Sequence, residues 1–157
     1  MEVVPIGIIR SPFKALEDMP IQPRGAAGIR GTVEVAASFC EGLKDLDGFS
    51  HIILLYQFHR SQGYALQVVP FMDTTPRGLF ATRAPKRPNP IGLSIVELER
   101  VDGNCLHISN VDILDGTPLL DIKPYVPRFD IHQVTRSGWL EHSDKNVTTH
   151  KSDTRFT

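Results

Sequence analysis

Residues 91–114 read IGLSIVELERVDGNCLHISNVDIL. Two runs rich in Val, Ile and Leu flank Asp102-Gly103-Asn104, a turn composition that joins neighbouring antiparallel strands. Working outward, the same grammar recurs. Residues 3–9 form a Val- and Ile-rich run closed by Ser11-Pro12, and residues 31–35 form a second short one. Residues 49–58, FSHIILLYQF, are apolar at both alternating phases, which predicts a central strand covered on both faces. A further run at 67–71 ends at Asp73-Thr74-Thr75-Pro76. Residues 119–122 follow the Asp115-Gly116-Thr117-Pro118 turn, after which Pro124 and Pro127 break pairing. Ser38 and Glu41 make a capping box that opens one short helix, with Leu43 and Leu46 on one side and Asp47-Gly48 at its end. Many short strands and one helix predict an all-β fold, a small single-domain antiparallel β-barrel. The barrel is expected over residues 1–135, and the polar residues 136–157 form a loosely docked or disordered tail.

Composition narrows the functional classes. A chain of 157 residues suits one domain with a core of its own, and 41% hydrophobic with 22% charged residues excludes disordered and collagen-like classes. The formal net charge of −1 gives no global field toward nucleic acid, so any such contact needs a local basic patch. Residues 83–87, RAPKR, are the best candidate. Cys40 and Cys105 have no metal-ligand spacing and read as small buried residues, free thiols of a reducing compartment. No apolar run reaches the roughly 20 residues that span a bilayer. The opening MEVVPIGIIRSPF has neither a basic n-region nor a cleavage signal, so a cytoplasmic location is expected.

No dinucleotide fingerprint, P-loop or Cys/His metal pair is present, and no metal is expected. His51 and His59 share one phase of a strand but stand roughly 26 Å apart at strand rise, too far to share an ion. His51 reads as a satisfied core histidine. Three segments rise above this background. In RAPKRPNPIGLS, residues 83–94, Pro85, Pro88 and Pro90 keep Ala84, Arg87 and Asn89 out of helical geometry. The loop is pre-stiffened, either as a solvated turn guarding a sheet edge or as a binding loop that loses little entropy on ordering. Gly92 admits a close approach by a backbone or ligand. In VDILDGTPLLDIKPY, residues 111–125, Asp112, Asp115 and Asp121 crowd a turn. They either cap it or hold a hydroxyl or amine against its free N–H groups. The third comprises Pro23-Arg24-Gly25 and Phe58-His59-Arg60, each weak alone.

Together, GIIRSPF, LDGFSHIILLYQFH, FATRAPKRPNPIGLSIVEL and DILDGTPLLDIKPYVP resemble, in that order, the TsaA-like (TrmO-type) tRNA methyltransferases. The likeness covers roughly residues 4–129. It implies an S-adenosylmethionine-dependent enzyme on an all-β barrel without a Rossmann sheet, acting as a homodimer. The implied reaction is N6-methylation of threonylcarbamoyl-adenosine in the tRNA anticodon loop. It places the cofactor against Pro23, Arg24, His59, Arg60, Arg83, Leu93, Asp112, Asp115, Gly116 and Thr117. In full-length bacterial members a further C-terminal domain follows the barrel.

An exocyclic adenine nitrogen has its lone pair delocalised into the ring, so methylation needs an acceptor aimed at its N–H. Asn89 offers an amide oxygen on a proline-braced strut, and Asp121 or Asp115 offers a carboxylate. Lys86, Arg87 and Lys123 are the expected RNA contacts, with Arg83 beside them for phosphate or the threonyl carboxylate.

Overall fold

Six strands close into a barrel in the order β1-β2-β7-β6-β3-β8, every neighbouring pair antiparallel. They are β1 (Gly7–Arg10), β2 (Arg30–Val35), β3 (His51–Gln57), β6 (Ile91–Asp102), β7 (Cys105–Ser109) and β8 (Thr117–Pro124). A separate two-stranded sheet pairs β4 (Gln67–Val68) with β5 (Arg77–Gly78). The fold comes from a computed structural model, which describes residues 2–15, 19, 23–71 and 73–142. The barrel and the 102–104 hairpin are as the sequence predicts.

Strand β6 alternates strictly between exposed and buried along most of its length. Val96 and Leu98 point inward to meet Ile9, Val33, Ile52, Leu54, Leu106, Ile108 and Leu119. Each such side chain contributes about 1.5–3 kcal/mol by leaving water. Two register shifts, at Leu98/Arg100 of β6 and at Leu55/Tyr56 of β3, supply the local bending that closure requires. Leu43 and Leu46 pack on the core from the segment between β2 and β3, and Val111 and Ile113 from the segment after β7.

Several boundaries differ from expectation. The strand expected over residues 105–114 stops at Ser109, because Asn110 adopts φ 65° and turns the chain out of the sheet. The helix expected after Ser38 is a 3₁₀ segment, Ala37–Leu43, preceded by Ala36 with no side-chain cap. Asp45 at φ 65° then separates it from a second 3₁₀ turn, Leu46–Gly48. The α-helix is instead a single turn, α1 (Pro127–Asp130). Strand β3 is not covered on both faces. Ile52, Leu54 and Tyr56 are buried, whereas Ile53 and Leu55 stand half-exposed on the outer wall. His51 is no core residue, being half-exposed with its ring edge toward Tyr125 at 6.4 Å. Both cysteines are free and partly accessible.

The topology decides where the long connections meet. Strands β1, β3 and β7 end, and β2, β6 and β8 begin, at one end of the barrel. The connections 11–29, 58–90 and 110–116 all leave from that end. The connection 58–90 has its own small core of Val68, Leu79 and Ala84, with Ala65 and Phe71 packed on it.

Candidate active site

Most of the predicted residues lie on those three connections or at the start of the strands they feed, with Leu93 the third residue of β6, whereas Asp121 lies mid-way along β8 and Lys123 near its far end. At the centre is a hydrogen-bonded line that the sequence did not announce. Ser94 faces inward from β6 and is 1% exposed. Its hydroxyl donates to Asp112 Oδ1 at 2.7 Å, and its oxygen lies 3.0 Å from the buried Tyr56 hydroxyl. With the Ser94 proton committed to the carboxylate, Tyr56 is the donor in that pair. Burial pushes the Asp112 carboxyl up to about 6, with the Ser94 hydroxyl and Arg83's charge pulling the other way. Burial, and then the Asp112 charge, hold the Tyr56 phenol well above its ordinary value. The signal for Ser94 was its inward phase in β6, where a hydroxyl among Val96 and Leu98 needs a polar partner.

Gly92 has a different job from the one expected. A Cβ there would stand 2.3–2.9 Å from atoms of the Tyr56 ring, so its openness is used by the protein's own phenol.

His59 lies just past β3, with Nδ1 3.4 Å from Thr117 Oγ1. Thr117, 2% exposed, donates its hydroxyl to Leu114 O at 2.7 Å. The imidazole therefore donates from Nδ1 in this contact, which leaves the Nε2 lone pair available as an acceptor. Desolvation, and secondarily Arg60, lower its pKa and favour the neutral ring.

The Asp115-Gly116-Thr117 turn splits. Thr117 joins His59 inside, while Asp115 is fastened to the loop after β1. Its Oδ1 accepts from Ser11 N at 3.1 Å and its Oδ2 from Lys14 Nζ at 2.6 Å. The Lys14 contact leads the causes that hold its carboxyl below the usual range. Gly116 takes φ 76° and donates its N–H to Ile9 O. Asp115 and Lys14 line an open groove of about 530 Å³ together with the Arg30–Glu99 pair and with Arg10, whose own partner is Glu34.

Two predicted residues sit on the outer wall, since Leu93 and Asp121 both flank Leu55. Asp121 accepts its neighbour's N–H from Ile122 and pairs with Lys123 Nζ at 2.7 Å, so Lys123 is also engaged. In the basic loop Arg87 is half-buried and staples its own turn, donating Nη1 to Thr82 O at 3.0 Å and Ala84 O at 3.4 Å. Arg83 and Asn89 are exposed, and Lys86 is half-exposed. Pro23 and Arg24 lie in a 3₁₀ turn, Pro23–Ala26, and their side chains fall outside the described residues. Among the described residues no cluster of His, Cys, Asp or Glu is placed to hold a metal ion. No helix among them is long and apolar enough to cross a membrane.

A closed antiparallel barrel whose loop-bearing end carries a half-buried carboxylate, a histidine favoured in its neutral form and a proline-braced basic loop defines a small β-barrel domain with a polar candidate site. The sequence pattern described as the tRNA-methyltransferase O N-terminal domain matches residues 8–131. The chain belongs to that family. It is 57% identical over 152 residues to a Pyrococcus abyssi protein named "Probable S-adenosyl-L-methionine-binding protein", covering 97% of this chain and 83% of that one. It is 38% identical over 136 residues to the mouse tRNA (adenine(37)-N6)-methyltransferase, covering 82% of this chain and 32% of the mouse protein. The crystal structure of TrmO from Pseudomonas aeruginosa superposes with a TM-score of 0.74 at 42% identity, covering 88% of this chain and 62% of that one.

Proposed function

We propose that this domain transfers a methyl group from S-adenosylmethionine to N6 of threonylcarbamoyl-adenosine beside the anticodon of a tRNA, as a cytoplasmic homodimer. The observation that carries the reading is Asp112, an ionisable carboxylate kept in a largely buried place at the loop-bearing end. Holding a charge there is costly, and such costs concentrate where a ligand repays them. The donor set fits the cofactor's amino acid tail: Asp112 suits its ammonium, and Arg83, whose charge acts on Asp112, suits its carboxylate. When bound, the cofactor supplies an electrophilic methyl group on a sulfonium.

This chain's own residues do the positioning. Tyr56 and Ser94 hold Asp112 in one orientation, and Thr117 orients His59. Asn89 is the better acceptor for the amine proton. Its carboxamide has no hydrogen-bond partner among the described residues and is exposed between two prolines, whereas Asp121 is tied to Ile122 and Lys123.

The dimer is supported by the outer wall. The cross-strand pairs Ile53–Ile95 and Leu55–Leu93 form an apolar stripe there, extended by Ile91, with Leu93 and Ile91 each 46% exposed. An outward face in water is expected to be polar. Because Leu93 and Ser94 point to opposite sides of β6, a cofactor touching both Leu93 and Asp112 lies over the barrel rim, where a second copy completes the site.

The test is transfer of label from cofactor to tRNA with and without the threonylcarbamoyl group. Transfer to the modified tRNA alone supports the reading. Transfer to both, or to neither despite cofactor binding, points to another acceptor or to a non-catalytic cofactor-binding module. A monomer in light scattering at micromolar concentration overturns the shared site.

A further inference from the structure

Charge is not spread evenly along this chain. Residues 58–90 carry Arg60, Arg77, Arg83, Lys86 and Arg87 against one acid, Asp73, which is itself paired with Arg77 at 2.7 Å. With a net charge of −1 for the whole chain, the remainder is acidic and this connection is a cationic island. Phe80, the most exposed aromatic ring among the described residues, stands on the same island, as does Tyr64. Phe80 is 75% exposed and Tyr64 63%, values far outside those of a packed core ring. Arg87 Cζ lies 5.6 Å from the Phe80 ring centroid, and the guanidinium is held there by its bonds to Thr82 O and Ala84 O. Trp139 comes from the tail to the residue beside Phe80, donating Nε1 to Ala81 O at 2.8 Å, with Arg77 Cζ 5.8 Å from its ring. Tyr64 is fastened to the basic loop through its neighbour, since Ala65 N donates to Lys86 O at 3.3 Å.

We infer that this surface is a stacking platform for unpaired RNA bases, with Phe80 as the ring on which one base of the anticodon loop lies. The inference rests on the tRNA reading above and names the surface that grips the loop outside the reacting nucleotide. Single-stranded nucleic acid presents flat apolar faces separated by phosphates, and an exposed ring with a fixed guanidinium over one side and the other left to a base complements both. An acidic protein partner would use the cations and leave Phe80 bare. The platform is preformed, because Arg87 is locked by backbone carbonyls and the loop by Pro85, Pro88 and Pro90, so little ordering is left for binding.

The experiment measures fluorescence anisotropy of a labelled RNA hairpin with a seven-nucleotide loop, using the full chain, Phe80→Ala, Phe80→Trp and Lys86→Ala across a salt series. Cofactor affinity is followed by calorimetry in each. Phe80→Ala is expected to weaken hairpin binding on the order of tenfold without changing the salt slope, since no charge is removed. Phe80→Trp restores binding, and Lys86→Ala lowers the salt slope by about one. Equal affinity of the full chain and Phe80→Ala overturns the platform. So does equal binding of a blunt RNA duplex or heparin, which need only cations, and so does a protein self-association that Phe80→Ala abolishes. Methylation of modified tRNA by Phe80→Ala with an unchanged KM sinks the platform alone. A full chain that binds cofactor but neither hairpin nor tRNA sinks the tRNA reading with it.

Discussion

Replacing Asp112 by asparagine should stabilise the fold at neutral pH while damaging the site. The carboxyl sits at about 6 instead of its ordinary 3.8, because burial disfavours the charged form more than Ser94 and Arg83 favour it. The folded state thus holds the proton more tightly than the unfolded chain does. Stability from protonated Asp112 is fully present below the ordinary value and is lost as pH rises through about 6. Over that span the loss amounts to about 3 kcal/mol. The Asp112→Asn side chain has no such titration and keeps an oxygen for the Ser94 hydroxyl. The stability difference between the variant and the parent should therefore grow by about 2.5 kcal/mol between about pH 4 and pH 7.5. Against a total of about 5–15 kcal/mol this is large. In urea it moves the midpoint by about 1–2 M relative to the parent. Equilibrium urea curves of both proteins at the two pH values measure it, with calorimetry at pH 7.5 recording the expected loss of S-adenosylmethionine affinity. A difference that stays constant with pH would refute the argument that burial of this carboxylate is a standing cost.

Gly92→Ala drives a Cβ against the Tyr56 ring, which the buried Ser94 contact prevents from swinging away. It should destabilise by about 1–3 kcal/mol in thermal or urea unfolding, and a neutral result would mean that the ring moves freely. His59, lowered chiefly by desolvation, should show an NMR titration midpoint below that of an unperturbed histidine, and a midpoint above it would contradict the neutral Nδ1–H ring. Gly116→Ala puts a side chain at φ 76° and should cost about 1–2 kcal/mol in the same unfolding assay. Trp139→Phe removes the donor to Ala81 O and should speed proteolysis of the tail while leaving the barrel's unfolding midpoint in place. A shift of the whole unfolding curve would show that the tail is part of the core.

The barrel was legible because hairpin turns and short apolar runs are local features, and the Asp102-Gly103-Asn104 turn joins β6 to β7 as neighbours. The basic loop and the Asp-rich turn were visible as composition, and the long similarity of their motifs named the family that the residue 8–131 match supports. Strand ends and the expected helix were misplaced where Asn110 and Asp45 take positive φ, a conformation that composition only weakly announces. Burial was misjudged on β3, because an apolar residue in sequence carries no mark of which wall of a barrel it faces.

By itself, then, the sequence determined the six barrel strands though not their ends, the stiffness and charge of residues 83–90, and the presence of carboxylates near one turn. Only the tertiary structure decided what those groups touch. It joined Tyr56, Ser94 and Asp112, residues distant in the chain, into one hydrogen-bonded line. It also gave Asp115 to Lys14, and turned Leu93 and Asp121 outward while Ser94 turned in. The reason is that inward and outward phase, and hence every pairing across the barrel, is set by closure and by two register shifts that no local stretch of sequence encodes.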